Sequence, residues 1–224
     1  MIELARPFSF IFDMDGTLIN TALATVAACQ RCAPRFKLPV RQPSDITTLI
    51  GCHDAEFYRR LYPGYGADLL EEYALEVEND ENDAMACMGG EILFEGAYEL
   101  LSILCERRSY VSLASTGSES HVCAALSAGG ISEFFKDVRC GSPDKTAMVK
   151  GIVENAPSGT WMIIGDRLAD CTAGKANGIV TVAARYGFGN AGEYSEFDYG
   201  IERPLDLLKI LHAVALDTGP VNRI

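Results

Sequence analysis

Phe8-Ser9-Phe10-Ile11-Phe12-Asp13-Met14-Asp15-Gly16-Thr17-Leu18 is the stretch from which the rest of the chain is read. It opens on an apolar run with three phenylalanines, the pattern of a strand buried on both faces in a parallel sheet. The run stops at two aspartates one residue apart. Gly16 follows them and allows the backbone a tight turn. Two acids are thus left at the carboxyl end of a hydrophobic strand, which is where open α/β sheets place their ligands.

Downstream the pattern becomes helical. Helices are predicted from Thr21 to Ala33, around Ser44 to Ile50, from His53 to Leu61 and from Ala67 to Met88. No strand signal interrupts residues 21–88. The acids at 71, 72, 76, 78, 80, 81 and 83 read as a solvated helix face. After Gly89-Gly90, strands and helices alternate. A helix over Ala97 to Arg108 precedes a second strand, Tyr110 to Ser115, which ends at Thr116-Gly117. A helix over Glu119 to Ala128 leads to a short third strand, Lys136 to Cys140. Ser142 as N-cap with Pro143 after it starts a helix that runs to Asn155 and carries Lys145 in its first turn. The fourth strand, Trp161 to Gly165, exits into Asp166 and Asp170. A helix over Cys171 to Asn177, a fifth strand over Ile179 to Ala183, an edge strand near Phe197 to Ile201 and a helix over Leu205 to Val214 complete the chain.

This alternation predicts an α/β fold: a Rossmann-like three-layer core around a parallel sheet, with a small all-helical cap domain. The core is assigned to residues 1–19 and 89–224 and the cap to 20–88, with a cleft where they meet.

Composition narrows the function. Hydrophobic residues make up 48% of the 224, enough for a full core. The formal net charge is -12 and no basic patch is present, which argues against a nucleic-acid partner. An anionic substrate therefore needs positive charge supplied locally. Of eight cysteines, Cys29 and Cys32 alone are close. They lack the second pair or the histidines of a zinc site, and read as ordinary helix cysteines or a redox pair. The N-terminus shows no signal-peptide pattern, and no run approaches the ~20 apolar residues of a membrane span. A soluble, cytoplasmic protein with reduced thiols and no membrane partner is expected.

The strand ends carry the chemistry. Asp13 and Asp15 close the first strand, Ser115 or Thr116 the second, and Asp166 and Asp170 the fourth, with Lys145 at a helix start. Carboxylates clustered without Cys or His favour a hard cation, Mg2+ above others. A lysine at a helix N-terminus opposes the macrodipole, and makes better sense if it serves a bound anion.

In this order, Asp13-Met14-Asp15-Gly16-Thr17, Ser115-Thr116, Lys145 and Gly165-Asp166 with Asp170 resemble the four motifs of the haloacid dehalogenase superfamily. The helical insert, Arg185-Tyr186-Gly187-Phe188-Gly189 and the tail from Phe197 resemble its phosphoglycolate phosphatase and β-phosphoglucomutase branch. The resemblance implies that Asp13 is the nucleophile and Asp15 the general acid and base. It implies Mg2+ held by Asp13, the Asp15 carbonyl and Asp166, with Asp170 as a further or water-mediated ligand. Thr116 or Ser115, with Lys145, would hold the phosphate. In that branch Pro usually follows the lysine directly; here Pro143 precedes Lys145, and Lys150 is the weaker alternative. An acid at Asp15 favours phosphoryl chemistry over carbon–halogen cleavage. A Schiff-base phosphonate reaction would need a cap lysine, and Lys37 is the sole one between 20 and 95. Ile50-Gly51-Cys52-His53-Asp54 resembles the substrate-facing cap turn, which singles out His53. Arg31, Arg35, Arg59 and Arg60 are candidates for a second anionic group. The expected function is Mg-dependent hydrolysis of a small phosphorylated metabolite, by a monomer or homodimer. The alternatives are a phosphomutase of the β-phosphoglucomutase type and a non-catalytic phospho-ligand binding protein.

Overall fold

Phe8–Phe12 forms β1, buried along its whole length. The computed structural model describes residues 8–156 and 159–216. The segment before Phe8, read above for a leader, falls outside them. Alternation along β1 sends its side chains to two different layers. Phe8, Phe10 and Phe12 pack on one face with Leu100, Leu101 and Val122, while Ile11 packs on the other with Val149, Ile163 and Ala173. Full burial of each such side chain stabilises the fold by roughly 1.5–3 kcal/mol. Both faces of β1 are apolar because both are covered.

The elements follow in chain order. After β1 come α1 (Ala22–Cys32), α2 (Pro43–Thr47), α3 (Asp54–Leu61) and α4 (Ala67–Met88). Then follow α5 (Ala97–Glu106), β2 (Tyr110–Ala114), α6 (Glu119–Ala128), β3 (Asp137–Arg139), α7 (Lys145–Asn155), β4 (Thr160–Gly165) and α8 (Leu168–Ala176). The chain closes with β5 (Val180–Ala184), α9 (Ala191–Tyr194), β6 (Tyr199–Ile201) and α10 (Leu207–Leu216). The six strands lie in the order β3-β2-β1-β4-β5-β6, and every pairing is parallel. The chain reverses direction across the sheet between β1 and β4, the switch point at which such sheets bind ligands.

Over residues 21–88 the insert's regular elements are all helices, as expected. It has its own apolar cluster around Tyr73, whose ring meets Tyr58, Tyr62 and Phe36 edge-on. Its hydroxyl donates to the Cys29 carbonyl at 2.8 Å. The far end of α4 joins the sheet instead: Met85 packs in the sheet's core. The segments that enter and leave the insert are tied together, with Asn20 N donating to Ile92 O at 2.8 Å and Phe94 N to Leu18 O at 3.0 Å.

Some boundaries differ from the sequence reading. Asp144, not Ser142, caps α7; its Oδ1 accepts from Ala147 N at 3.0 Å, which leaves Pro143 outside the helix and makes Lys145 the first helical residue. α8 begins at Leu168 rather than Cys171, because Asp170 Oδ2 accepts from Arg167 N at 3.0 Å and closes the helix start from within. The acids of α4 are not all solvated. Glu81 is 6% exposed and lies on the buried stripe of Leu70, Tyr73, Val77 and Met85.

Candidate active site

The carboxyl ends of β1 and β4 bring the acids together. Asp13 N donates to Ile164 O at 2.8 Å, so Asp13 still belongs to the ladder and its side chain is fixed by it. Beyond it Gly16 turns with φ +80°, in the left-handed region that favours glycine. A Cβ there would stand 2.3 Å from Asp166 Oδ2. The turn therefore packs directly on the acid supplied by β4.

Asp13, Asp166 and Asp170 each offer an oxygen within 4.8 Å of the others. All are buried, Asp166 and Asp170 completely. Lys145 Nζ donates to Asp13 Oδ1 and to Asp170 Oδ1, each at 2.6 Å. Lys150 is exposed and pairs with Glu154 at 3.8 Å, so Lys145 is the lysine in the cluster. Burial raises the Asp13 carboxyl most, Asp170 adds to this, Lys145 opposes it, and the result is about 7. Burial, then the charges of Asp13 and Asp170, push Asp166 well above the ordinary carboxylate range. Burial would lower Lys145, but Asp13 and Asp170 outweigh it and hold the ammonium charged.

With all three carboxyls ionised, the one ammonium would leave two negative charges uncompensated in a buried pocket. Asp166 Oδ2 accepts from Phe188 N at 2.6 Å, while its buried Oδ1 has no hydrogen-bond partner among the described residues. An all-oxygen donor set with that charge balance and an orphaned oxygen fits a hard divalent cation. No transition-metal donor, histidine or cysteine, belongs to the group.

Asp15 points elsewhere. Its Oδ1 lies 3.1 Å from His121 Nε2, on the first turn of α6. The other ring nitrogen, Nδ1, lies 3.9 Å from Glu81 Oε2 of α4. Glu81 also accepts a hydrogen bond from Thr25 of α1. Asp15, Thr116, Gly117 and His121 form the floor of a cavity of about 590 Å³, whose other walls come from the insert and include His53. His53 is the N-cap residue of α3 and makes no capping bond with its side chain. The turn before it is held to the core: Arg167 Nη1 donates to Ile50 O at 2.7 Å and Thr116 Oγ1 to Gly51 O at 3.4 Å. Ser115 is buried, and its Oγ accepts from Gly117 N at 3.1 Å.

The sequence-derived residues thus fall into two adjoining groups. Asp13, Lys145, Asp166 and Asp170 form the buried cluster, and Asp15, Thr116 and His53 border the cavity. Arg31 and Arg35 take part in neither; they pair with Asp80 and Glu76 of α4. Lys37 is exposed and does not line the cavity. Cys29 and Cys32 are buried, and burial pushes the Cys29 thiol up to about 12, so the pair is not poised for redox chemistry. His121, Glu81 and the Phe188 amide were missed. Glu81 had a signal, since it occupies an apolar-stripe position of α4. His121 had none.

The chain can now be placed among known proteins. The family description "haloacid dehalogenase-like hydrolase" matches residues 10–184. A phosphoglycolate phosphatase of Synechococcus elongatus is 28% identical over 209 residues, covering 90% of this chain and 95% of that protein. The pyrophosphatase PpaX of Listeria welshimeri is 26% identical over 217 residues, covering 91% and 95%. The crystal structure of a predicted phosphoglycolate phosphatase from Haemophilus somnus superposes with a TM-score of 0.78 at 19% identity, over 90% of this chain and 96% of that one. The chain belongs to the haloacid dehalogenase-like hydrolases. In fold the chain is also similar to a β-phosphoglucomutase of Clostridium difficile, with a TM-score of 0.72 at 18% identity over 93% of this chain and 98% of that one.

Proposed function

We propose that this hydrolase is a phosphatase that cleaves a small phosphate monoester through Asp13. The observation that carries the reading is the buried cluster of Asp13, Lys145, Asp166 and Asp170 at the end of the same strand whose next acid, Asp15, borders the cavity. The phosphate end of the substrate passes Asp15 and Thr116 to reach Asp13. Lys145, with the hydroxyl of Thr116 or Ser115, holds the non-bridging oxygens, and Lys145 offsets the repulsion between carboxylate and phosphate. Magnesium held by Asp13, the Asp15 carbonyl, Asp166 and Asp170 would supply the remaining positive charge.

Asp13 attacks phosphorus as the bond to the leaving oxygen breaks, and Asp15 gives that oxygen its proton. Asp15, now a carboxylate, takes a proton from the water that attacks the aspartyl-phosphate. That second displacement frees Asp13 and inorganic phosphate. His121 engages Asp15 Oδ1 and so leaves Oδ2 for the leaving oxygen. The test is phosphate release from p-nitrophenyl phosphate with Mg2+. Wild type turns over and Asp13→Asn does not; equal rates would refute the assignment.

A further inference from the structure

The wall of the cavity above Asp15 bears on which monoester is cleaved, an inference that rests on the phosphatase reading. α4 turns three acids to it: Glu71, Glu78 and Glu81. Glu78 accepts from Ser118 Oγ at 2.8 Å, and Glu81 is held by Thr25. With Asp15 these make four carboxylates. Arg59 is the one lysine or arginine among the described lining residues, and it is exposed and paired with Glu56. Aromatic rings of Phe57, Tyr58 and Tyr65 complete that side. Thr21, 1% exposed, lines the same cavity, and its Oγ1 has no hydrogen-bond partner among the described residues.

The end of the cavity away from the phosphate is therefore lined by carboxylates, while at the phosphate end Lys145 and the proposed magnesium would offset those of the buried cluster. Lys145 marks the phosphate end, and the glutamates mark the end where the leaving alcohol must sit. A carboxylate or second phosphate on that alcohol would meet like charge, with no buried lysine or arginine among the described lining residues to pair it; His121 is already engaged by Asp15 and Glu81. An ammonium would meet carboxylates and aromatic faces, both of which attract it. We propose that the alcohol released carries an ammonium group, so that the substrate is the monophosphate of an amino alcohol or amino sugar. The Thr21 hydroxyl offers this group a further acceptor. Such a substrate differs in charge from phosphoglycolate and pyrophosphate, the compounds named for the relatives above.

Matched pairs test this. Phosphoethanolamine and phosphoglycolate share a two-carbon frame and differ in ammonium against carboxylate. Glucosamine 6-phosphate and glucose 6-phosphate differ in one amine. The expected result is a kcat/KM at least about tenfold higher for an amine member in one pair or both, with the double variant E71Q/E78Q narrowing that ratio. A carboxylate or neutral member cleaved as well as its amine counterpart in both pairs overturns the proposal. So does hydrolysis of p-nitrophenyl phosphate with no turnover of any pair member, which leaves the phosphatase reading intact. Loss of p-nitrophenyl phosphate turnover in wild type would instead refute that reading itself, and this proposal with it.

Discussion

His121 Nε2 lies 3.1 Å from Asp15 Oδ1, and this contact joins the acid after β1 to the first turn of α6. Glu81 and Thr25 continue the connection into the insert. The carboxylate proposed to protonate the leaving group is thus oriented by a residue that the insert helices in turn support.

A leaving-group series tests the role of His121. An alkoxide needs a proton as it departs; p-nitrophenolate does not. His121→Ala should lower kcat for an alkyl phosphate by about 10–100-fold, part of the range for general acid catalysis. It should change kcat for p-nitrophenyl phosphate by only a few-fold. A structural role alone would lower both equally. Asp15→Asn should show the same pattern more strongly, and His121→Asn, which keeps a donor, should restore part of the loss.

Gly16 supplies a test of the packing behind the carboxylate cluster. Ala at this position combines a left-handed backbone, costing roughly 1–2 kcal/mol, with a methyl group on Asp166. Gly16→Ala should abolish phosphate release and weaken Mg2+ binding measured by calorimetry. Wild-type affinity in a folded variant would show that the turn and Asp166 are independent.

The raised carboxyls give a pH dependence with a definite sign. Asp13 is pushed up to about 7, with burial the largest cause. Between the ordinary value near 3.8 and about 7, the folded protein keeps a proton that the unfolded chain has lost. Stability then falls as pH rises through that window and levels off above it. Asp166 shifts in the same direction. In EDTA, the thermal midpoint should decline from pH 4.5 to 7, and Mg2+ should reverse most of the decline at pH 7. A midpoint that climbs over that range in EDTA would contradict the buried-cluster electrostatics.

The thiols offer a direct accessibility test. Cys87, Cys105 and Cys123 are exposed, whereas Cys29 and Cys32 are buried. A disulfide reagent should label the first three in native protein and reach Cys29 and Cys32 only on unfolding. Rapid native labelling of Cys32 would reopen a redox role for the pair.

Much of the fold was legible because β1 is buried on both faces and so reads as an unbroken apolar run. The acids at its end were legible because no apolar strand tolerates them unless they serve something. The reach of α8 back to Leu168 was less so, since its cap is the side chain of Asp170 inside the helix. The direction of Asp15 was not legible at all: its partner His121 lies 106 residues away and meets it only through the crossover from β1 to β2. The acid face of α4 was misread for a physical reason. A helix with acids on most sides looks solvated until packing shows which of them the stripe of Leu70, Tyr73 and Val77 carries inward.

Everything proposed for the site depends on Asp13 becoming phosphorylated. Acid quenching of the enzyme during turnover of p-nitrophenyl phosphate with Mg2+, followed by peptide mass spectrometry, measures this directly. The account predicts a phosphoryl adduct on the peptide containing Asp13, absent from Asp13→Asn. A burst of p-nitrophenolate with the adduct on another residue, such as Ser115, would contradict it.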